Sequence, residues 1–356
     1  MVRFLKKILG YKGKQAVKSW IEKVDFYLAS KSACSRFTSS LYYLLLNPAF
    51  HREHQSVLKG RVKYAQSLAV VEGGCALLRR NTHRLEKGLI MRPRREIFGA
   101  AFIEETVEAY VTGVKNGNLN QAEYLWCTDV LREYFIVVGS EPAIDRARRN
   151  FSQLAEPECA VDEQKCVPYK HQDIVRSELT LNQLEVLFKQ RRSVRWYQDK
   201  AVSIDLIKQA VDVATQAPSA CNRQPFSFYT VTNKDKALKV ANCAMGTAGF
   251  AQNLPMMIAV VGDLSAYPAE RDRHVIYVDG GLVTMQLMLA LETLGLSSCP
   301  INWPDIERRE SMLDKELGLQ AHQRTVMLLA VGHPDPDGGI AYSQKKDSSV
   351  LVKVID

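Results

Sequence analysis

Apolar residues recur at the three- and four-residue spacing of a helix through the first 155 positions, and at strand spacing only later. The stripe Phe4, Leu5, Ile8 and Leu9, then Val17, Trp20, Ile21, Val24, Tyr27 and Leu28, carries lysines between its members. It predicts a basic amphipathic helical region over 1–60, with Gly10 and Gly13 breaking its first piece. Tyr64, Leu68, Val71, Cys75 and Leu78 form a second stripe, Phe98–Val114 a third, and Ala122–Val138 a fourth with Leu125, Val130, Leu131 and Phe135 inward. Lys115-Asn116-Gly117-Asn118 is a turn. With no alternation and no internal repeat, 1–155 reads as an all-helical region.

Residues 156–180 are polar and turn-rich and read as a linker. From 181 to 356 the pattern becomes α+β. Thr180 caps a short helix over Asn182–Lys189, and Ser203 caps a helix with Ile204, Ile207, Ala210, Val211 and Ala214 inward. Strands are predicted at Phe226–Val231, Pro255–Val261 and Thr325–Gly332, with a helix at Lys234–Ala241 between the first two. Residues 275–295 are apolar nearly all round, which predicts a buried helix, and Gly280-Gly281 near its start permits close approach of another backbone. Ser349–Ile355 alternates weakly and reads as a last strand.

Charge sharpens this division. The net charge is +8, and residues 1–60 alone carry 11 Lys/Arg against Glu22, Asp25 and Glu53. The remainder is neutral, which argues against nucleic acid as a partner of the whole protein. The basic amphipathic region suits either peripheral contact with an anionic membrane or packing on the next domain. No run reaches the ~18 apolar residues of a membrane span, and no secretory leader is recognisable. Eight cysteines without a C-x-x-C pair point to a reducing compartment, hence the cytoplasm. Cys159 and Cys166 are a weak candidate redox pair. Rossmann, P-loop, metalloprotease and serine-hydrolase motifs are absent, so no metal site and no catalytic nucleophile or acid is assigned.

Chemistry concentrates in Gln190–Phe228. Arg191-Arg192-Ser193-Val194-Arg195 places three guanidinium forks and a hydroxyl within five residues, a set suited to phosphate. The loop Ala217-Pro218-Ser219-Ala220-Cys221-Asn222-Arg223-Gln224-Pro225 then offers two amides between two stiffening prolines, able to read the edge of a heteroaromatic ring. A basic helix end followed by an ordinary turn fits the same residues.

The pair of elements, R-x-S-x-R followed by a helix ending in A-P-S-x-x-N-x-Q-P, resembles the nitroreductase family of flavin enzymes over Leu184–Asp356. The resemblance implies a nitroreductase-like α+β domain, its mixed or antiparallel sheet flanked by helices, with tightly bound FMN and an intertwined homodimer carrying flavin at the subunit interface. It assigns Arg191, Arg192, Ser193 and Arg195 to phosphate and ribityl. Pro218, Ser219, Ala220, Asn222 and Gln224 would address the ring edge or ribityl, and Pro300, Ile301 and Asn302 the region of flavin N5. Lys345 or Lys346 would meet the phosphate, although the usual Arg/Lys-x-Pro-like ending is missing. The 275–295 helix would sit at the heart of the dimer, and the last strand would be lent to the partner subunit. The implied activity is hydride transfer from NAD(P)H through the flavin to a small acceptor. Alternatives are other flavin chemistry on the same fold, or a flavoprotein scaffold whose helical half docks a membrane or protein.

One patch lies outside the resemblance. Seven basic residues fall between Arg79 and Arg95, against Glu86 alone. His83, Arg84 and Lys87 are therefore candidate substrate residues for an anionic acceptor. The competing reading pairs the charges with acids such as Glu104 and Glu105.

Overall fold

The computed structural model describes residues 11–67, 75–154 and 165–355. Phe4, Leu5, Ile8, Leu9, Gly10, Leu68, Val71 and Cys159 lie outside them. The chain forms two compact units, one of residues up to Gln55 with Asp305–Glu307, the other of Ser56–Pro304 and Arg308–Asp356.

In the first unit α1 (Tyr11–Ser32) packs on α2 (Arg36–Leu45). Ser35 caps α2 by accepting from the Thr38 amide at 3.1 Å. The Tyr42 phenol donates to Asp25 of α1. Gly13 lies inside α1 and does not interrupt it, contrary to the expected break. The stripe of α1 is open to solvent, with Trp20 65% and Tyr27 61% exposed.

In the second unit the residues of α3 (His51–Ser67) from Ser56 onward lie against the 264–266 turn, where Gly60 meets the Leu264 backbone and a Cβ would intrude to 2.8 Å. Four helices follow: α4 (Ala76–Leu89), α5 (Ile103–Lys115), α6 (Gln121–Val137) and α7 (Pro142–Ser152). They share one core, in which Leu78, Leu85, Ile103, Val130, Leu131, Tyr134 and Ile144 are buried. The expected third stripe becomes a turn over Phe98–Phe102 before α5 begins. Gly99 takes φ +76° at this turn, the left-handed conformation that glycine adopts without strain.

The remainder carries a four-stranded sheet, all antiparallel, in the order β1-β2-β4-β3. After α8 (Leu181–Gln190) and α9 (Ile204–Ala214) come β1 (Phe226–Val231), α10 (Lys234–Cys243) and β2 (Met256–Asp263). Then come α11 (Val275–Thr293), β3 (Ser297–Asn302), α12 (Glu307–Leu317) and β4 (Gln323–Gly332). Alternate residues of β2 enter different cores. Met256 and Ile258 pack on α9 and α11, while Met257, Ala259 and Val261 join the core formed with α10. A strand covered on both faces must be apolar at every position, which is why β2 reads as a continuous run.

Two expectations are corrected. Helix α11 is not buried all round. Ile276, Val283, Leu287 and Leu291 are fully buried, but Val278, Leu282 and Met285 face outward. Gly280 lies against Val326 at 3.1 Å from a would-be Cβ, whereas Gly281 faces open space. The span Glu270–Thr293 is also long and apolar enough by composition to cross a membrane, a length the sequence reading assigned to no segment. Its inner face is a core face. The second correction is at the C-terminal end, where Ser349–Leu351 is helical in the single chain. Asp347 caps a short α13 (Ser348–Leu351), and the residues after it are irregular and exposed.

Candidate functional site

The capping box of α8, in which Thr180 and Gln183 exchange hydrogen bonds, fixes where that helix starts and therefore where its end delivers the arginine turn. Val194 donates to Ser298 O at 3.0 Å, and Ser193 bridges Ser298 in parallel. This seats the turn against β3. Among the described residues the Ser193 hydroxyl makes no hydrogen bond, and the buried Arg191 Nε and Ser298 Oγ have none either. Arg192 donates to Ala341 O at 2.6 Å and to Tyr342 O, drawing in the segment that carries Lys345. Arg191, Arg192, Lys189 and Lys345 line one cleft of about 550 Å³. Glu185 also lines it and pairs with Lys189 at 2.7 Å, which leaves Arg191, Arg192 and Lys345, with an unpartnered buried guanidinium nitrogen, as the cations that fit a phosphate dianion. Lys346 and Arg195 do not line it. Arg195 is exposed, donating to Ser193 O at 3.4 Å and lying 5.9 Å from the Phe250 ring centroid. Pro300, Ile301 and Asn302 form the outer end of β3, paired with Leu329, Leu328 and Met327 of β4.

The polar loop is built differently. Cys221, Asn222 and Gln224 all take φ near +50°, which side-chain-bearing residues adopt at roughly 1 kcal/mol or more each. External partners hold it. The Ala220 amide donates to Asp279 Oδ2 at 3.0 Å, and the Gln224 amide donates to Ser219 Oγ at 3.1 Å. Arg79 of α4 donates to Asn222 O at 3.0 Å and to Gln224 Oε1 at 3.3 Å, while its other nitrogen meets Glu123 at 2.8 Å. The Gln224 side chain also donates to Thr215 O at 3.2 Å. Its amide therefore braces the loop. Among the described residues the Asn222 side-chain amide makes no hydrogen bond and is the one left to a ligand. Pro218 is exposed beside it. Burial pushes the Asp279 carboxyl above the usual aspartate range, against the pull of the Ala220 amide.

The two groups do not meet in one chain. The loop is held by Asp279 in the first turns of α11. Gln190, next to the arginine turn, donates to Glu292 at the far end of the same helix. At 1.5 Å per residue these ends are about 20 Å apart. Burial raises the Glu292 carboxyl as well, with hydrogen bonds from Ser297 and Gln190 opposing.

Of the outlying substrate candidates, His83 meets Glu86 at 3.1 Å, whereas Arg84 and Lys87 line a separate cleft. Arg79 and Asp279 are the supporting residues that the sequence reading passed over. Nothing local marks Arg79, since its partners in the loop lie more than 140 residues away.

The chain matches the nitroreductase family over residues 188–248 and 237–333. A protein of Archaeoglobus fulgidus provisionally named NADH dehydrogenase/NAD(P)H nitroreductase is 30% identical over 149 residues, which cover 40% of this chain and 81% of that protein. One from Bacillus subtilis, provisionally named an NAD(P)H nitroreductase, is 28% identical over 200 residues, 45% of this chain and 93% of the relative. The solved nitroreductase–FMN complex from Desulfovibrio desulfuricans aligns with TM-score 0.42 at 24% identity, over 50% of this chain and 99% of that one. The family match spans the arginine turn, the polar loop and the sheet, and with the 30% identity over 81% of the archaeal protein it shows that the chain belongs to the nitroreductase family.

Proposed function

We propose that the protein is an FMN-dependent oxidoreductase that takes hydride from NAD(P)H and passes it to a small acceptor. Bound FMN would supply the two-electron chemistry. Arg191, Arg192 and Lys345 hold its phosphate, with Ser193 donating beside them. Asn222 and the backbone of Ser219 and Ala220 contact the ring edge or ribityl, and Pro300, Ile301 and Asn302 cover the reactive side. Of the two lysines, Lys345 is favoured because it shares the cleft with Arg191 and Arg192.

The observation that carries this reading is the separation of the two groups along α11. The helix also exposes an apolar face, Val278, Leu282 and Met285. Two copies of α11 packed antiparallel through that face would bury it and bring the loop of one chain to the arginine turn of the other. The reading therefore includes a homodimer with two composite sites.

The test is direct. Purified protein should release FMN on denaturation and oxidise NADH or NADPH when a nitroaromatic is added. Protein that takes up no FMN from solution would overturn the assignment. Protein that binds FMN but never turns over would support the scaffold alternative instead.

A location in the cytoplasm with peripheral membrane contact through residues 1–60 is part of the proposal. Trp20, Phe26, Tyr27, Phe37 and Leu44 are exposed, and Lys23 and Lys31 accompany them on α1. Full-length protein should sediment with anionic vesicles in a salt-sensitive way, and Trp20→Glu with Phe26→Glu should abolish this. Failure of the unaltered protein to bind such vesicles would end the membrane reading.

A further inference from the structure

The structure divides the seven basic residues between Arg79 and Arg95. Arg79 pairs with Glu123, and Arg80 donates to the Tyr64 hydroxyl at 3.2 Å. Arg84, Lys87 and Arg95 have no carboxylate at ion-pair distance among the described residues. Neither acid that the competing reading offered them forms a direct ion pair with them. Glu104 binds Arg146 at 2.7 Å, and Glu105 accepts from Asn81 at 2.8 Å.

These three cations line one cleft of about 670 Å³, within the usual size of a small-molecule site. Its other walls are Met91, Pro93, Phe98 and Phe102. The Arg84 guanidinium sits 3.6 Å from the Phe102 ring centroid and donates to Asn81 Oδ1 at 3.2 Å, and Glu105, which accepts from the same Asn81, acts on it through space without a direct ion pair. Burial lowers its pKa from the ordinary arginine value, yet the group remains cationic. The apolar floor depends on Gly88, where a Cβ would fall 2.2 Å from the Phe98 ring. The ring thus lies directly on the α4 backbone. Tyr134 donates to Phe98 O at 2.7 Å and holds this segment in place. Three like charges around one cavity repel. An anion with an apolar body relieves that repulsion and covers those walls.

We propose that this cleft binds a small organic anion, a carboxylate on a flat aromatic body. Arg84, Lys87 and Arg95 receive the carboxylate, and Phe98 and Phe102 pack on the ring. As a binding site it stands alone. As the acceptor's site it rests on the flavin reading, because α4 also packs on the 220–222 turn of the polar loop.

Calorimetric titration of the full-length protein with 4-nitrobenzoate and with neutral nitrobenzene tests this. The expected result is at least tenfold tighter binding of 4-nitrobenzoate. Lys87→Ala with Arg95→Ala, two exposed side chains whose loss leaves the core intact, should remove that preference and leave nitrobenzene binding and FMN affinity unchanged. Gly88→Ala should weaken both compounds by displacing Phe98. Equal affinity for the two compounds, or a preference that survives loss of Lys87 and Arg95, would overturn the proposal. Charge-dependent binding in protein that takes up no FMN would retain this site and sink the flavin reading. FMN uptake without anion preference would do the reverse.

Discussion

Arg79 donates to the backbone carbonyl of Asn222 at 3.0 Å, joining the helical core to the strained polar loop. The same guanidinium meets Glu123, whose side chain is 7% exposed, and lies 5.3 Å from the Trp126 ring centroid. One side chain therefore anchors a loop in a backbone conformation that its own residues disfavour.

Arg79→Ala should cost about 3 kcal/mol of stability, because it removes a charged partner of a buried carboxylate, to which neutral Asn120 still donates. Denaturant unfolding measures this, and Glu123→Gln in the same background should recover part of the loss. FMN affinity, followed by flavin fluorescence, should fall as the loop relaxes. Unaltered affinity would mean that the loop holds its shape without α4.

Arg191→Ala and Lys345→Ala should each weaken FMN binding roughly tenfold or more, since each removes a charge-assisted contact of about 1.5–3 kcal/mol. Lys346→Ala should have little effect. A reversed order for the two lysines would place the phosphate nearer Lys346.

Leu282→Glu puts a charge in the middle of the exposed face of α11. Sedimentation should show a shift from dimer to monomer, and bound FMN should be lost with it, because each proposed site needs both chains. A monomer that keeps FMN would place the whole site within one chain.

Asp279 gives a pH signature. Its folded-state pKa is raised by burial, so its favourable contribution is fully present below the unfolded value of 3.8 and is lost as pH rises through the higher folded value. Asp279→Asn keeps an oxygen to accept from Ala220 and removes the ionisation. Relative to the unaltered protein, the variant should gain stability as pH rises from strongly acidic to neutral. Parallel stability curves would show that the carboxyl titrates as it does in the unfolded chain.

Local chemistry made much of the fold legible. Ser203 and Thr180 cap helices because a side-chain oxygen can reach an amide two or three residues on. The apolar run of β2 follows from burial on both faces, and the arginine turn and polar loop carry the family pattern in consecutive residues. None of this required knowledge of distant partners. What only the tertiary structure decided involves residues far apart in the chain. Gln224 braces its loop because packing brings Arg79 and Thr215 to it. Arg84, Lys87 and Arg95 share a cavity because Gly88 lets Phe98 lie on α4. The arginine turn and the loop are separated by the length of α11, although only one short helix lies between them in sequence. Periodicity and capping report contacts within a turn or two of the chain, whereas these relationships depend on how whole elements pack.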